Sequence, residues 1–246
     1  MAQEKPVKEV FFSDYLRKKA KESLAVCVGW AGIAPTLLLA GIATGVAAIL
    51  VSGVVAIVVA LFVAVTRGPS YTAYRCGIRG ERVLRAHLLS SALPDDYTAY
   101  YNLPLNGNGR VSDIDCIFVG PSGVFVLEAK HHKGLILYRN GVWARIKVGR
   151  RGTLYRGQLG DPSGQLYRNI RRLKELLGKD LIKDIWFNGA VVFTNPQAVL
   201  EVEGLRWVRA ITVNDLEQIL SKRTALSAEQ IDSINTRLCT SAKKVI

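Results

Sequence analysis

The sequence predicts an α/β domain with a mixed sheet, preceded by a hairpin of two transmembrane helices. Three observations predict it. Residues 23–66 contain no charged side chain. Residues 98–130 read as three successive strand runs divided by the turns "GNG" and "GPSG". A basic amphipathic helix near 161–177 then leads into "IWFNGAVVFTN", a nearly continuous apolar run suited to a central strand buried on both faces.

The uncharged run comes first. Its 44 residues, Ser23 to Thr66, would measure about 66 Å as one helix at ~1.5 Å per residue. A hydrocarbon core of about 30 Å needs roughly 20 residues per crossing. Two spans therefore fit better than one, near 24–42 and 46–65. The join falls at "AGIATG", where Gly41, Thr44 and Gly45 interrupt the aliphatic sequence. Gly41 and Gly45 also have GxxxG spacing, but a tight turn is the favoured role here. Pro35 marks a kink that membranes tolerate. A signal peptide is a poor reading, because 22 residues with four acids precede the run and it far exceeds an h-region. Arg17, Lys18, Lys19 and Lys21 lie before it, and Arg67, Arg75 and Arg79 after it. Basic flanks at both ends place both in the cytoplasm. The expectation is a multi-pass protein of the cell (inner) membrane, with the remaining chain cytoplasmic. Cys27, Cys76, Cys116 and Cys239 are scattered without CxxC spacing. Reduced thiols, no zinc site and no disulfide-linked partner are expected.

Residues 67–246 carry 27 Lys and Arg against 16 Asp and Glu. Such a balance suits a polyanion or an anionic leaflet, and charge alone does not choose between them. The domain plan is a cytoplasmic tail at 1–22, the hairpin at 23–66, a linker at 67–75, a globular domain at 76–210 and a helical extension at 211–246.

Within the tail, "FFSDYLRKKAKESL" reads equally as a short interfacial helix with Phe11, Phe12, Tyr15 and Leu16 toward lipid, or as a solvated tail. "GERVLRAHLLSSAL" has Val83, Leu84, Leu88 and Leu89 at helical spacing, with Glu81 in its first turn. Strands follow near 98–104, 110–119 and 123–130. "GLILYRNGVWARIKV" is a further hairpin turning on Asn140-Gly141. After the basic "KVGRRGTLYRGQLG", Asp161 caps a helix with Pro162 at its first position. That helix puts Leu166, Ile170, Leu173 and Leu177 on one face, and Gly178 ends it. "LRWVRA" adds a strand, and "TVNDLEQILSK" and "SAEQIDSINTRLCTSAKK" close the chain as helices, the latter with a Ser227/Gln230 capping box.

The chemistry concentrates in "VSDIDCIFVGPSGVFVLEAK", residues 111–130. If its hairpin turns on "GPSG", Asp115 and Glu128 fall close to opposite each other. Opposed side chains share a face at about 5 Å. Two like charges there destabilise a sheet unless something compensates, and a divalent cation with hard oxygen ligands does so. Lys130, two residues on, points to the same face. Two carboxylates to hold a metal and one ammonium to orient water suit phosphodiester hydrolysis.

The stretch "DIDCIFVGPSGVFVLEAKHHKG" resembles the NERD (nuclease-related) domain, a branch of the PD-(D/E)xK nuclease superfamily. The likeness extends to "GIRGERVL", "GDPSGQLYRNIRRLKELL" and "NGAVVFTN", covering roughly residues 76–195. It implies a PD-(D/E)xK-like αβββαβ core. It further implies Asp115 and Glu128 as ligands of Mg²⁺ or Mn²⁺, Lys130 as the catalytic lysine, and supporting roles for Glu81 and Gln165. The chain departs from the family at Cys116, often His, and at Asp161-Pro162, commonly Asn-Pro.

Each residue also has a plainer reading. Asp113 is either an outer group behind Asp115 or a solvated strand end. Glu81 also suits the helix dipole, and Gln165 also completes a helix start. His131 and His132 are expected at the surface, and Cys116 as a small core residue facing away from Asp115. Lys147, Arg150, Arg151, Arg156, Arg168, Arg171 and Arg172 are candidate phosphate contacts. Trp143, Tyr155 and Tyr167 are candidate stacking platforms or core. The expected function is a membrane-anchored, Mg²⁺-dependent nuclease acting on DNA in preference to RNA. Two alternatives remain: a catalytically silent, membrane-tethered nucleic-acid-binding or scaffold module, and a basic face that holds the domain against anionic lipid.

Overall fold

A computed structural model describes residues 8–90, 97–107, 110–149, 151–157, 159–183, 185–219 and 226–243. The chain divides into two compact units, Asp14–Ile78 and a second made of Arg79–Ile246 with the segment through Ser13.

In the first unit two helices form a hairpin, α1 (Tyr15–Thr44) and the opening turns of α2 (Ala47–Ser90). Gly45 ends α1 with a left-handed φ of 68°, and its N–H returns to the Gly41 carbonyl at 3.0 Å. A Cβ at Gly41 would lie 2.6 Å from the Leu50 nitrogen, and one at Gly53 2.7 Å from the Leu38 Cα. Gly45 therefore makes the turn, while Gly41 and Gly53 let the helix backbones approach closely. Both helices are long and apolar enough to cross a membrane by length and composition.

α2 continues without a break through 67–75, so the stretch expected as a linker is helical. Pro69 sits inside it and forfeits one hydrogen bond, which the turns on either side carry the helix across. The three-turn helix expected from Gly80 is the last part of the same α2.

The second unit is built on a six-stranded mixed sheet, α/β in class. β2 (Thr98–Gly107), β3 (Arg110–Gly120) and β4 (Gly123–Lys130) form the expected antiparallel meander. β8 (Phe187–Phe193) lies parallel to β4, and β10 (Val208–Thr212) parallel to β8. The outer edge beside β2 is unexpected: β1 (Lys8–Phe11), which precedes the helical hairpin, pairs with β2 in parallel. Of the stretch expected as an interfacial helix or a solvated tail, residues 11–24, Tyr15–Leu24 are helical as the start of α1, whereas Phe11 and Phe12, expected toward lipid, lie at and just beyond the end of β1. Instead Phe11 stacks on Tyr101 at 5.0 Å and Phe12 on Tyr100 at 6.0 Å. Arg85 of α2 donates to both oxygens of Glu9 at 2.9 and 2.7 Å.

A second, four-stranded sheet has the order β7-β6-β5-β9. β5 (Gly134–Arg139) and β6 (Val142–Val148) turn on Asn140 and Gly141, both at positive φ, as a two-residue hairpin demands. β7 (Leu154–Gly157), within the basic Gly-rich segment, and β9 (Ala198–Val202) flank them.

Helices cover both faces of the large sheet. α3 (Pro162–Leu177) and α5 (Ala228–Lys243) pack on the face that presents Ile117, Val126, Val191 and Phe193. Leu84 and Leu88 of α2, with a 3-10 helix at Val213–Ile219, pack on the face that presents Cys116, Phe118, Leu127 and Val192. Within the helix expected from "TVNDLEQILSK", Val213–Ile219 are 3-10, and residues 220–222 lie outside the described residues; a four-residue α4 (Lys179–Ile182) follows α3. Asp161 caps α3 by accepting from the Gly164 N–H at 2.8 Å. Ser227 and Gln230 exchange the reciprocal bonds of a capping box at 3.2 and 2.9 Å.

Candidate active site

The alternation of β3 and β4 decides which side chains meet. Cys116, Leu127 and Ala129 belong to the face covered by α2. Asp115, Glu128 and Lys130 have the opposite parity, so they share the α3 face. The β3–β4 ladder runs from Gly120↔Gly123 to Cys116↔Leu127 and stops one pair before Asp115 and Glu128. Beyond that point β3 continues against β2 and β4 against β8. The sheet thus opens where the two carboxylates sit. The Asp115 carboxylate occupies the gap, its Oδ2 accepting from the Ala129 N–H at 2.7 Å.

Lys130 closes the group. Its Nζ donates to Glu128 Oε1 at 2.7 Å and to Gln165 Oε1, in the first turns of α3, at 3.2 Å. Glu128 is 1% exposed, and its other oxygen, Oε2, is buried with no hydrogen-bond partner among the described residues. Burial raises the Asp115 carboxyl, against the pull of the Lys130 charge and the Ala129 N–H. Burial, and then the Asp115 charge, push Glu128 up to about 8. Burial alone would lower Lys130, but Glu128 and Asp115 outweigh it and raise its pKa. The site is short of positive charge.

Glu81 joins this cluster from α2. It lies far inside that helix rather than in a first turn, so the helix-dipole reading is withdrawn. Asn102 of β2 donates from Nδ2 to Glu81 Oε2 at 3.3 Å, and the Glu81 charge contributes to raising Glu128. The structure therefore brings Asp115, Glu128, Lys130, Gln165 and Glu81 into one neighbourhood. Asp113 is not a solvated strand end: Ser13 donates from Oγ to its Oδ2 at 2.6 Å, and burial raises its carboxyl.

Both histidines depart from the surface positions expected of them. His131 is buried, with Nδ1 3.0 Å from Thr194 Oγ1 and Nε2 3.3 Å from Asn195 Nδ2. His132 is pushed down to about 4 by burial and by the Arg145 charge; its neutral Nδ1 accepts from Arg145 Nη1 at 2.6 Å. Asn102, Ser13 and Arg145 are the neighbours that sequence reasoning missed. Asn102 left a signal, since asparagine is uncommon within a strand.

The basic residues divide between the small sheet and α3. Lys147 and Arg156 lie on β6 and β7, and Arg151 is exposed just before β7. Arg168 and Arg171 are on the exposed side of α3, Arg171 bonded to Glu175 at 3.1 Å, while Arg172 is partly buried. Arg150 lies outside the described residues. Arg156 also lines a cavity of about 410 Å³ with Trp143, Leu159 and Gly160. Trp143 is core, whereas Tyr155 and Tyr167 are exposed.

The donor set fits a hard divalent cation: two carboxylates on one face, a Glu128 oxygen with no partner among the described residues, and too little positive charge. Among the described residues no group of three or more His, Cys, Asp or Glu is gathered as a metal site. That is compatible with Mg²⁺, which commonly takes one or two protein carboxylates and completes its shell with water and substrate phosphate.

Comparison with known proteins agrees with the geometry. The family model of the nuclease-related domain (NERD) matches residues 77–194, so a nuclease-related region is present. A probable kinase, PglW of Streptomyces coelicolor, is 26% identical over 153 residues, covering 62% of this chain. The chain spans only 10% of that protein's length, so the match carries no kinase assignment. No solved structure matches the chain.

Proposed function

We propose that this chain, whose residues 77–194 match the nuclease-related domain, is a membrane-anchored, metal-dependent nuclease. It would hydrolyse phosphodiester bonds, those of DNA in preference to RNA. The observation that carries the reading is the convergence of Asp115, Glu128 and Lys130 at the opening of the sheet, with Glu128 Oε2 buried and without a hydrogen-bond partner among the described residues.

Asp115 and Glu128 would hold Mg²⁺ or Mn²⁺, with Glu81 adding negative charge behind them. When bound, the ion supplies Lewis acidity toward a phosphate oxygen and toward water. Lys130 stays protonated beside two carboxylates and donates to a phosphate oxygen or to the attacking water. Gln165 fixes the direction of that ammonium by accepting from it at 3.2 Å. Lys147, Arg151, Arg156, Arg168 and Arg172 supply backbone contacts that bind without reading sequence. Tyr155 and Tyr167 are exposed enough to stack on bases.

Membrane anchoring rests on the two apolar helices and on β1. Because Lys8–Phe11 and the chain from Arg79 share one folded unit, both ends of the hairpin lie on one side of any membrane it enters. The basic flanks make that side the cytoplasm.

The second reading is a membrane-tethered nucleic-acid-binding or scaffold module without catalysis, and the lack of a three-ligand cluster among the described residues favours it. The two part on one experiment. The full chain, in detergent because β1 belongs to the sheet domain, is incubated with plasmid and single-stranded DNA and Mg²⁺ or Mn²⁺. The nuclease reading expects cleavage that EDTA, Asp115→Ala and Glu128→Ala abolish. Salt-sensitive DNA binding without cleavage under any divalent ion supports the silent module instead.

A further inference from the structure

We propose that the segment preceding the helical hairpin completes the candidate active site, with Asn102 as the positioning residue through which it acts. The inference rests on the metal-dependent reading above.

Three described residues other than glycine have positive φ: Asn102 at 54°, Asn140 at 52° and Trp207 at 69°. Asn140 makes a hairpin turn. Asn102 stands inside β2, where such a backbone is rarely adopted, although asparagine tolerates it better than most residues. Its place in the ladder is informative. β2 and β3 pair at Tyr101↔Cys116 and again at Leu103↔Ile114 in unbroken register, and the omitted pair is the one Asn102 would make with Asp115. The strand twists out of its ladder opposite the carboxylate that the site uses.

The twist aims the Asn102 amide. Nδ2 donates to the Ser13 carbonyl at 3.1 Å and to Glu81 Oε2 at 3.3 Å. Ser13 in turn donates its hydroxyl to Asp113 Oδ2 at 2.6 Å. A chain of contacts thus runs from Glu81 through Asn102 and Ser13 to Asp113, whose charge acts on Asp115. Covering the sheet edge explains why β1 pairs with β2. It does not explain an amide directed between the backbone of the entering segment and a carboxylate beside the site. A neutral amide orients Glu81 without cancelling its charge, as a cation site requires. The residue before Ser13 is tied to β2 as well, the Phe12 N–H donating to the Tyr101 carbonyl at 3.2 Å.

The test uses the full chain in detergent with two readouts, Mn²⁺ affinity by electron paramagnetic resonance and DNA cleavage. Asn102→Gly keeps the left-handed backbone and removes the amide. It should weaken Mn²⁺ binding about 10-fold and slow cleavage roughly 10- to 100-fold, with thermal unfolding close to wild type. Ser13→Ala should act in the same direction, and the double variant should lose less than the two losses combined, because both act through one contact chain. Wild-type Mn²⁺ affinity and cleavage in both single variants overturn the inference alone. So does a loss in Asn102→Gly that only mirrors its loss of folded protein, with Ser13→Ala unchanged. Wild-type protein that neither binds Mn²⁺ nor cleaves DNA removes the nuclease reading, and this inference with it.

Discussion

Replacing Glu128 with Gln should remove most of a pH dependence of stability that the wild-type site imposes. Glu128 is 1% exposed, and burial with the Asp115 charge raises its carboxyl from 4.5 to about 8. Between those values the folded state keeps a proton that the unfolded chain has released, so stability falls as pH rises. Asp115 and Asp113 are raised too and push the same way. His132 opposes them. Lowered from 6.5 to about 4, it makes stability rise with pH until the unfolded imidazole has lost its proton near 6.5. The raised Lys130 contributes stability that is lost only above its ordinary 10.5, outside this window. Up to about pH 6.5 the imidazole and the Glu128 carboxyl oppose each other, and above pH 6.5 the carboxyl acts unopposed by it. From there to pH 8.5 the Glu128 carboxyl alone removes roughly 2 kcal/mol at about 1.4 kcal/mol per unit, or about 6 °C in Tm for a domain of this size. The assay is thermal unfolding of the detergent-solubilised chain, followed by tryptophan fluorescence. Glu128→Gln should lose most of the slope and exceed wild type at pH 8.5. Adding Mn²⁺ at pH 8.5 should restore wild type and leave Glu128→Gln unchanged. A wild-type Tm that stays flat or rises between pH 6.5 and 8.5, or a variant that keeps the full slope, would show that Glu128 does not keep its proton in the folded state.

Gln165→Ala leaves Lys130 with Glu128 as its remaining hydrogen-bonded partner; cleavage should fall roughly 10- to 100-fold while DNA affinity, measured without metal, holds. Arg151→Ala and Arg156→Ala should each lower the slope of log affinity against log salt by about one, with no change in sequence preference in a DNA-binding titration. Gly41→Val should disrupt the helical hairpin, because its Cβ would meet the Leu50 nitrogen at 2.6 Å; cross-linking between single cysteines on α1 and α2 reports the loss. In sealed vesicles, reporters placed at Asp14 and at Ser227 should be modified from the same side, and labelling from opposite sides would contradict the pairing of β1 with β2.

Local rules account for much of what could be read in advance. The "GPSG" turn sets the β3–β4 register, and from that register the shared face of Asp115, Glu128 and Lys130 follows. Gly45 as a left-handed cap, Asp161 as an N-cap and the Ser227/Gln230 box are likewise written in a few adjacent residues. What escaped is non-local. β1 pairs with a strand some ninety residues later, and nothing within Lys8–Phe11 specifies that partner. The close approach at Gly53 appears only once α1 is laid against α2. The continuity of α2 past Pro69 overrode a local breaker signal, and the alternation that makes β7 a strand is hidden among glycines and arginines. Asn102 belongs to both groups: its presence in a strand was visible, but its partner Ser13 comes from the far side of the hairpin.

Lys130, held by Glu128 and Gln165, is proposed to act on a phosphodiester at a metal-dependent site. The most direct measurement is single-turnover DNA cleavage with Mg²⁺ by the full chain and by Lys130→Ala, at concentrations where both are shown to bind the DNA. Wild type should cleave, and the variant should lose at least about 100-fold, a magnitude typical of a group that stabilises developing charge. Equal rates for the two proteins would contradict it.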